Sequence, residues 1–314
     1  MESSLENKIK KMFSEYQNDV IFDNLPLFFT LAYELKENLK NYSFTYDVMK
    51  IPETDIHEVM NNVFAYYESI GIKCPFEDLL LSSHLKLRGL PYKTDSQYIE
   101  NNLSRGMIYY NNGEYYVVLY LLGLMSDAFN IVHELSHYNN VPIGIRNQYS
   151  HLFTEAIASA EEFLFADFIE QRGMKEIASL WYQYRLDNFF KTANIALAIF
   201  NVLTSWGYID DIGISPNYEI SSDDFKICQK YFLKNNYDFH HICWYLMAYS
   251  LSPFLFFELE RVDSKGALLK EWYNKINYND ISSIFSSMGL NDLGDEDRVK
   301  LKKSLIALIK SRKI

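Results

Sequence analysis

Turn-forming residues are scarce in this chain, with 12 Gly and 7 Pro among 314 residues. A fold of many short strands needs such residues at its reversals, so the scarcity disfavours an all-β architecture and suits long helices. Apolar residues recur at helical spacing over 3–40, 53–70, 75–88, 126–138, 150–172, 174–206, 222–234, 238–260, 264–276, 280–288 and 295–312. Pro52 and Glu53 occupy first-turn positions of the second segment, and Ser126 or Asp127 is the expected N-cap of the fourth. Loops are expected at Gly89 to Thr94, Asn139 to Gly144, Gly213 to Asn217 and Gly289 to Gly294. One stretch reads differently: Met107 to Tyr110 and Glu114 to Leu122 are apolar, aromatic and β-branched runs around Asn111-Asn112-Gly113, the pattern of a β-hairpin. The expected fold is mainly α, with one small hairpin just before the helix at 126–138. No repeat or Pro/Gly/Ser linker divides the chain, so a helical N-terminal segment, 1–50, should lead into one domain, 51–314.

A chain with 48% hydrophobic and 23% charged residues can bury a sizeable core, which rules out disorder and a disulfide-stapled miniprotein. The net charge of −11 offers no field to phosphate backbones, so nucleic acid is not an expected partner. The basic residues near the end, Lys300, Lys302, Lys303, Lys310, Arg312 and Lys313, read as a solvated helical face. Cys74, Cys228 and Cys243 are odd in number and far apart, which fits a reducing compartment. Met1 to Phe13 mixes Glu2, Glu6, Lys8, Lys10 and Lys11 and has no secretion-signal core. The longest uncharged run, Ile242 to Phe257, is shorter than the roughly 20 residues of a membrane span and contains Pro253. A soluble, cytoplasmic protein without membrane contact is expected.

The helix after the hairpin contains His133-Glu134-Leu135-Ser136-His137, an H-E-x-x-H motif. On a helix, positions i and i+4 face the same way, so both imidazoles can reach one metal ion, and Glu134 can address a water beside it. Phe129, Ile131, Val132 and Leu135 mark the helix as buried, where three ionisable groups are costly unless paired or metal-bound. Two neutral imidazoles and a carboxylate suit Zn2+, one ion per chain, which lowers the pKa of water towards neutrality. For the third ligand the spacing leaves His151, Glu155, Glu161 and Glu162 open; Glu155 and Glu162 lie two turns apart on one helix face.

Three stretches together resemble a known catalytic core: Glu114-Tyr-Tyr-Val-Val-Leu-Tyr-Leu-Leu-Gly123, then Asp127-Ala-Phe-Asn-Ile-Val-His133-Glu-Leu-Ser-His137, then Phe153-Thr-Glu155-Ala-Ile-Ala-Ser159-Ala-Glu-Glu162. They are similar to the oligoendopeptidase F and thimet oligopeptidase family of zinc metallopeptidases, of the gluzincin type, over about residues 50–310. The resemblance implies a zincin-like catalytic domain, with His133, His137 and Glu155 as the zinc ligands and Glu162 as a supporting carboxylate. Ser136 stands where the family has glycine, and Ser159 comes one place later than the family's serine. In the C-terminal third, His240-His241-Ile-Cys-Trp-Tyr245-Leu-Met-Ala-Tyr249 resembles the family's late helix. By that resemblance Tyr245, Tyr249 and one of the two adjacent histidines, His240 or alternatively His241, stabilise the oxyanion. Family members usually carry a long N-terminal lobe before the zinc motif, and with 132 residues ahead of His133 a shallower channel is expected here.

The function expected is zinc-dependent hydrolysis of short or unfolded peptides, with Glu134 as general base. The strand at 115–120 is expected to align the peptide by edge pairing. Two other readings use the same residues: a peptidase dedicated to one leader or signalling peptide, and a zinc-fold peptide-binding protein without turnover. The presence of Glu134 argues against the second.

Overall fold

The computed structural model describes residues 2–15, 24–44, 52–88, 105–112, 114–139, 148–209, 221–235, 239–275, 285–286, 288–291 and 293–312. Most of the expected helix at 280–288, the loops at Gly89 to Thr94 and Gly213 to Asn217, and residues 140–147 fall outside that set. The architecture is mainly helical with one small sheet.

The segment read as one helix over 3–40 contains two. Helix α1 (Glu2–Glu15) buries Leu5, Ile9 and Met12, and α2 (Leu25–Leu39) buries Phe28, Leu31, Leu35 and Leu39, sets spaced three or four apart. Pro26 lies in the first turn of α2, where a missing N–H costs no intrahelical bond. Helix α3 (Ile56–Ser69) begins later than expected, because the Asp55 carboxylate caps it by accepting from His57 N at 2.9 Å. Pro52 and Glu53 stay extended instead: Glu53 bridges Leu124, and Met125 N donates to Pro52 O at 3.2 Å.

The helix expected over 75–88 is overturned in its second half. Helix α4 (Phe76–Leu81) stops at Ser83, whose φ of 61° breaks the helical path, and β1 (Leu85–Arg88) follows as a strand. The hairpin is present, with β2 (Arg105–Asn111) antiparallel to β3 (Glu114–Tyr120) and Asn111 opposite Glu114. Strand β1 joins β3 in parallel, Leu85 opposite Val117, so the sheet order is β1-β3-β2. Residues 115–120 therefore cannot serve as an open edge for a peptide: β3 is the central strand, paired with β2 along its length and with β1 over 117–120.

Next comes α5 (Ser126–Asn139), which packs against β2, β3, α3 and α6 (Gln148–Gln171). Neither expected cap serves α5. Ser126 is already helical, and the Asp127 carboxylate turns back to accept from Leu122 N at 3.0 Å and Gly123 N at 2.8 Å in the preceding loop. The later helices are α7 (Lys175–Ser205), α8 (Ser222–Cys228) running on into a π-helical turn at Gln229–Lys234, α9 (Phe239–Glu260), α10 (Lys265–Lys275) and α11 (Asp295–Ser311).

The chain divides into two compact units: Met1–Tyr42 with Leu186–Ser250, and Ser43–Arg185 with Leu251–Ile314. In the first, the Phe200 ring meets Phe29 and Phe239 edge-on, each at 5.7 Å. In the second, Phe129 stacks on Trp181 at 4.1 Å and meets the edge of Phe165 at 4.9 Å. Also in the second, Arg312 lies over the Tyr182 ring and pairs with Asp167 and Glu170, which ties α11 to α6 and α7. Helix α9 is long and apolar enough to cross a membrane, but 78% of its apolar window is buried, as in a core helix.

Candidate metal centre

Helical spacing on α5 brings His133 and His137 onto one face, and α6 supplies Glu155 opposite them, all within the second unit. The two Nε2 atoms are 2.9 Å apart, His133 Nε2 is 3.5 Å from Glu155 Oε2, and His137 Nε2 is 3.2 Å from Glu155 Oε1. Donors at 2.0–2.1 Å from a tetrahedral ion stand about 3.3 Å from one another, so this triangle has the size of a metal site. Of the carboxylates the sequence left open, Glu155 is the one that meets the histidines through their Nε2 atoms. The His151 side chain lies outside the described residues.

The donor chemistry fits a cation as well. His133 Nδ1 is 2.6 Å from Glu162 Oε1; a carboxylate only accepts, so Nδ1 carries a proton and Nε2, facing His137 and Glu155, is the nitrogen left to bind a cation. Burial opposes a charge on His133, yet hydrogen bonds to Glu155 and Glu162 overcome it and lift its pKa from 6.5 to about 10. Burial works against the Glu155 charge too, but His137 and His133 hold that carboxyl well below its usual range.

Behind the donors lie two buried carboxylates. On Glu162, Oε2 accepts from Trp181 Nε1 at 2.9 Å and pairs with Arg185 Nε at 3.2 Å, and Arg185 Nη2 also donates to Ser159 Oγ at 2.7 Å. On Glu161, Oε1 accepts from Ser136 Oγ at 2.7 Å and from the Tyr273 hydroxyl, and burial raises its pKa to about 7. The two serines that depart from the family pattern thus each have a partner. Trp181, Arg185 and Tyr273 escaped the sequence reading, since nothing local to them signals a partner one or more helices away.

Glu134 is 6% exposed, and burial raises its pKa. Its side chain lies against β2 at Gly106, where a Cβ would stand 2.2 Å from Glu134 Cγ and 2.7 Å from Oε1. Only glycine leaves room for it. A glycine inside a strand is the kind of signal that marks such a close approach, and Gly106 could have been found that way.

The three remaining candidates sit on α9, in the first unit. Tyr249 is 6% exposed and stacked on Phe189 at 4.4 Å, and Tyr245, more exposed, has its ring 5.6 Å from that of Tyr249. His240 is buried, its ring 6.1 Å from that of Trp244, and the His241 ring is 5.1 Å from the same indole. The structure groups these residues with one another and places them in a different unit from His133, His137 and Glu155. No protein-family model matches the chain, and no curated protein or solved structure matches it.

Proposed function

We propose that this chain is a zinc metallopeptidase of the gluzincin type, hydrolysing peptide bonds in short or unfolded peptides in the cytoplasm. The observation that carries the reading is the meeting of His133, His137 and Glu155 at metal-site spacing, with Glu134 buried on the same helix. His133 and His137 supply neutral nitrogens and Glu155 an oxygen; when bound there, zinc would acidify water and polarise a carbonyl. Glu134 then accepts the proton of the attacking water and hands it to the departing amine, and its raised pKa suits it to both steps. Among the described residues β2 pairs only with β3, and its Gly106 touches Glu134. An extended peptide pairing along β2 would bring its scissile carbonyl towards the base. The oxyanion role of Tyr245, Tyr249 and His240 rests on the family resemblance alone.

The test is mass-spectrometric mapping of cleavage in a peptide library, with the zinc content measured alongside. Cleavage should stop with a chelator and return with zinc. Glu134→Gln should keep its zinc and lose roughly 100–10,000-fold in kcat, the contribution of a general base. Glu155→Ala should lose zinc itself. A parent protein that holds one zinc and cuts no peptide would sink the peptidase reading.

A further inference from the structure

We infer that Trp181 and Arg185 form a positioning pair that holds His133 ready for the metal through Glu162, an inference resting on the metal reading above. Glu162 is 2% exposed, and its two oxygens face different ways. Oε1 accepts the Nδ1–H of His133 at 2.6 Å, while Oε2 accepts from Trp181 Nε1 at 2.9 Å and forms an ion pair with Arg185, whose Nε lies 3.2 Å away. Trp181 and Arg185 are one turn apart on α7, so both reach the same oxygen from one helix face.

Each member of the pair is itself anchored to an element that carries a metal ligand. The Trp181 indole stacks on Phe129 at 4.1 Å with a 17° interplanar angle, and Phe129 lies one turn before His133 on α5. Arg185 Nη2 donates to Ser159 Oγ at 2.7 Å, and Ser159 lies one turn before Glu162 on α6. The carboxyl plane of Glu162 is therefore fixed from α5, α6 and α7 at once. With that plane fixed, the Nδ1–H bond has one direction, and the His133 ring has one orientation, its Nε2 towards His137 and Glu155. Arg185 also sets a positive charge 3.2 Å from Glu162 Oε2, on the side of the carboxyl group away from His133.

The experiment measures zinc affinity by competition with a chromophoric chelator and records the visible spectrum of the Co(II)-substituted protein. Trp181→Phe keeps the stack and removes the N–H; Arg185→Met removes the charge, and Arg185→Lys is the milder change should the first not fold. Each should weaken zinc binding by roughly 10–100-fold, as loss of a group behind a metal-bound histidine does, and should shift the Co(II) bands. In a Glu162→Gln background the same substitutions should change affinity by less than about threefold, because their effect passes through Glu162. Parent-like affinity and spectrum in these variants, or equal losses with and without Glu162, would overturn the inference. A parent protein that takes up no zinc removes the metal reading and this one together. Zinc uptake without peptide cleavage removes only the peptidase reading, since neither measurement here needs turnover.

Discussion

A single methyl group at position 106 would collide with the side chain that the proposed chemistry depends on. Because the built Cβ falls 2.2 Å from Glu134 Cγ, Gly106→Ala must push either the carboxylate or the strand aside. We expect kcat to drop by about 100-fold while zinc content stays at the parent level, since misplacing a catalytic group by an ångström costs that much. Loss of zinc in this variant would mean that the whole helix had moved. Glu161 gives a prediction of the opposite kind. Its folded pKa of about 7 exceeds the ordinary 4.5, so the folded state binds the proton more tightly than the unfolded chain does. The burial penalty is absent below pH 4.5, grows as the pH rises, and is complete above pH 7, where it amounts to about 3 kcal/mol. Glu161→Gln should accordingly be more stable than the parent in urea at pH 8, with the gain shrinking towards pH 4.5. An equal gain at both pH values would remove Glu161 from the pH dependence. His133, Glu134 and His137 were legible in the sequence because their geometry is set by one turn of one helix. Trp181 and Arg185 were not, because each acts on a residue brought near only by the fold.

At the scale of elements, the link between the sheet and α5 carries more than its length suggests. Asp127 accepts from the backbone of Leu122, Gly123 and Leu124, so one carboxylate satisfies three successive amides and fixes where the helix that carries His133 and His137 starts. Asp127→Ala leaves these part-buried donors unpaired and should cost about 2–4 kcal/mol in urea unfolding, a few tenths at most being the result that would contradict it. The helices and the hairpin follow from hydrophobic period and turn residues, and those signals are local. Strand β1 is only four residues long, Leu85 to Arg88, and takes its conformation from pairing with β3, some thirty residues on. Its Leu-Lys-Leu-Arg sequence gives no period long enough to distinguish a strand from the tail of a helix. The same pairing moved β3 from an open edge to the centre of the sheet.

For the whole molecule, the two units should respond unequally to metal. His133, His137 and Glu155 all belong to the second unit, so ligand binding stabilises that unit directly, by about 4 kcal/mol at a thousandfold excess over Kd. Hydrogen exchange with zinc and with a chelator should then differ most in α5, α6 and the first third of α7, up to Arg185. Equal slowing across α1, α2 and α8 would argue against that localisation. Helical periodicity reports which face of a helix is buried and is silent about which helices share a core, so the division into units was not legible in the sequence. The units are also interleaved along the chain, residues up to Tyr42 belonging with Leu186 to Ser250. On the ribosome the first helices must wait while roughly 200 further residues are added, about 10–40 s at ordinary elongation rates. The centre from His133 to Arg185 is contiguous, so it emerges complete well before the second unit's closing segment begins at Leu251. If the proposed centre binds a metal, a nascent chain would thus be able to hold it before either core has all its parts.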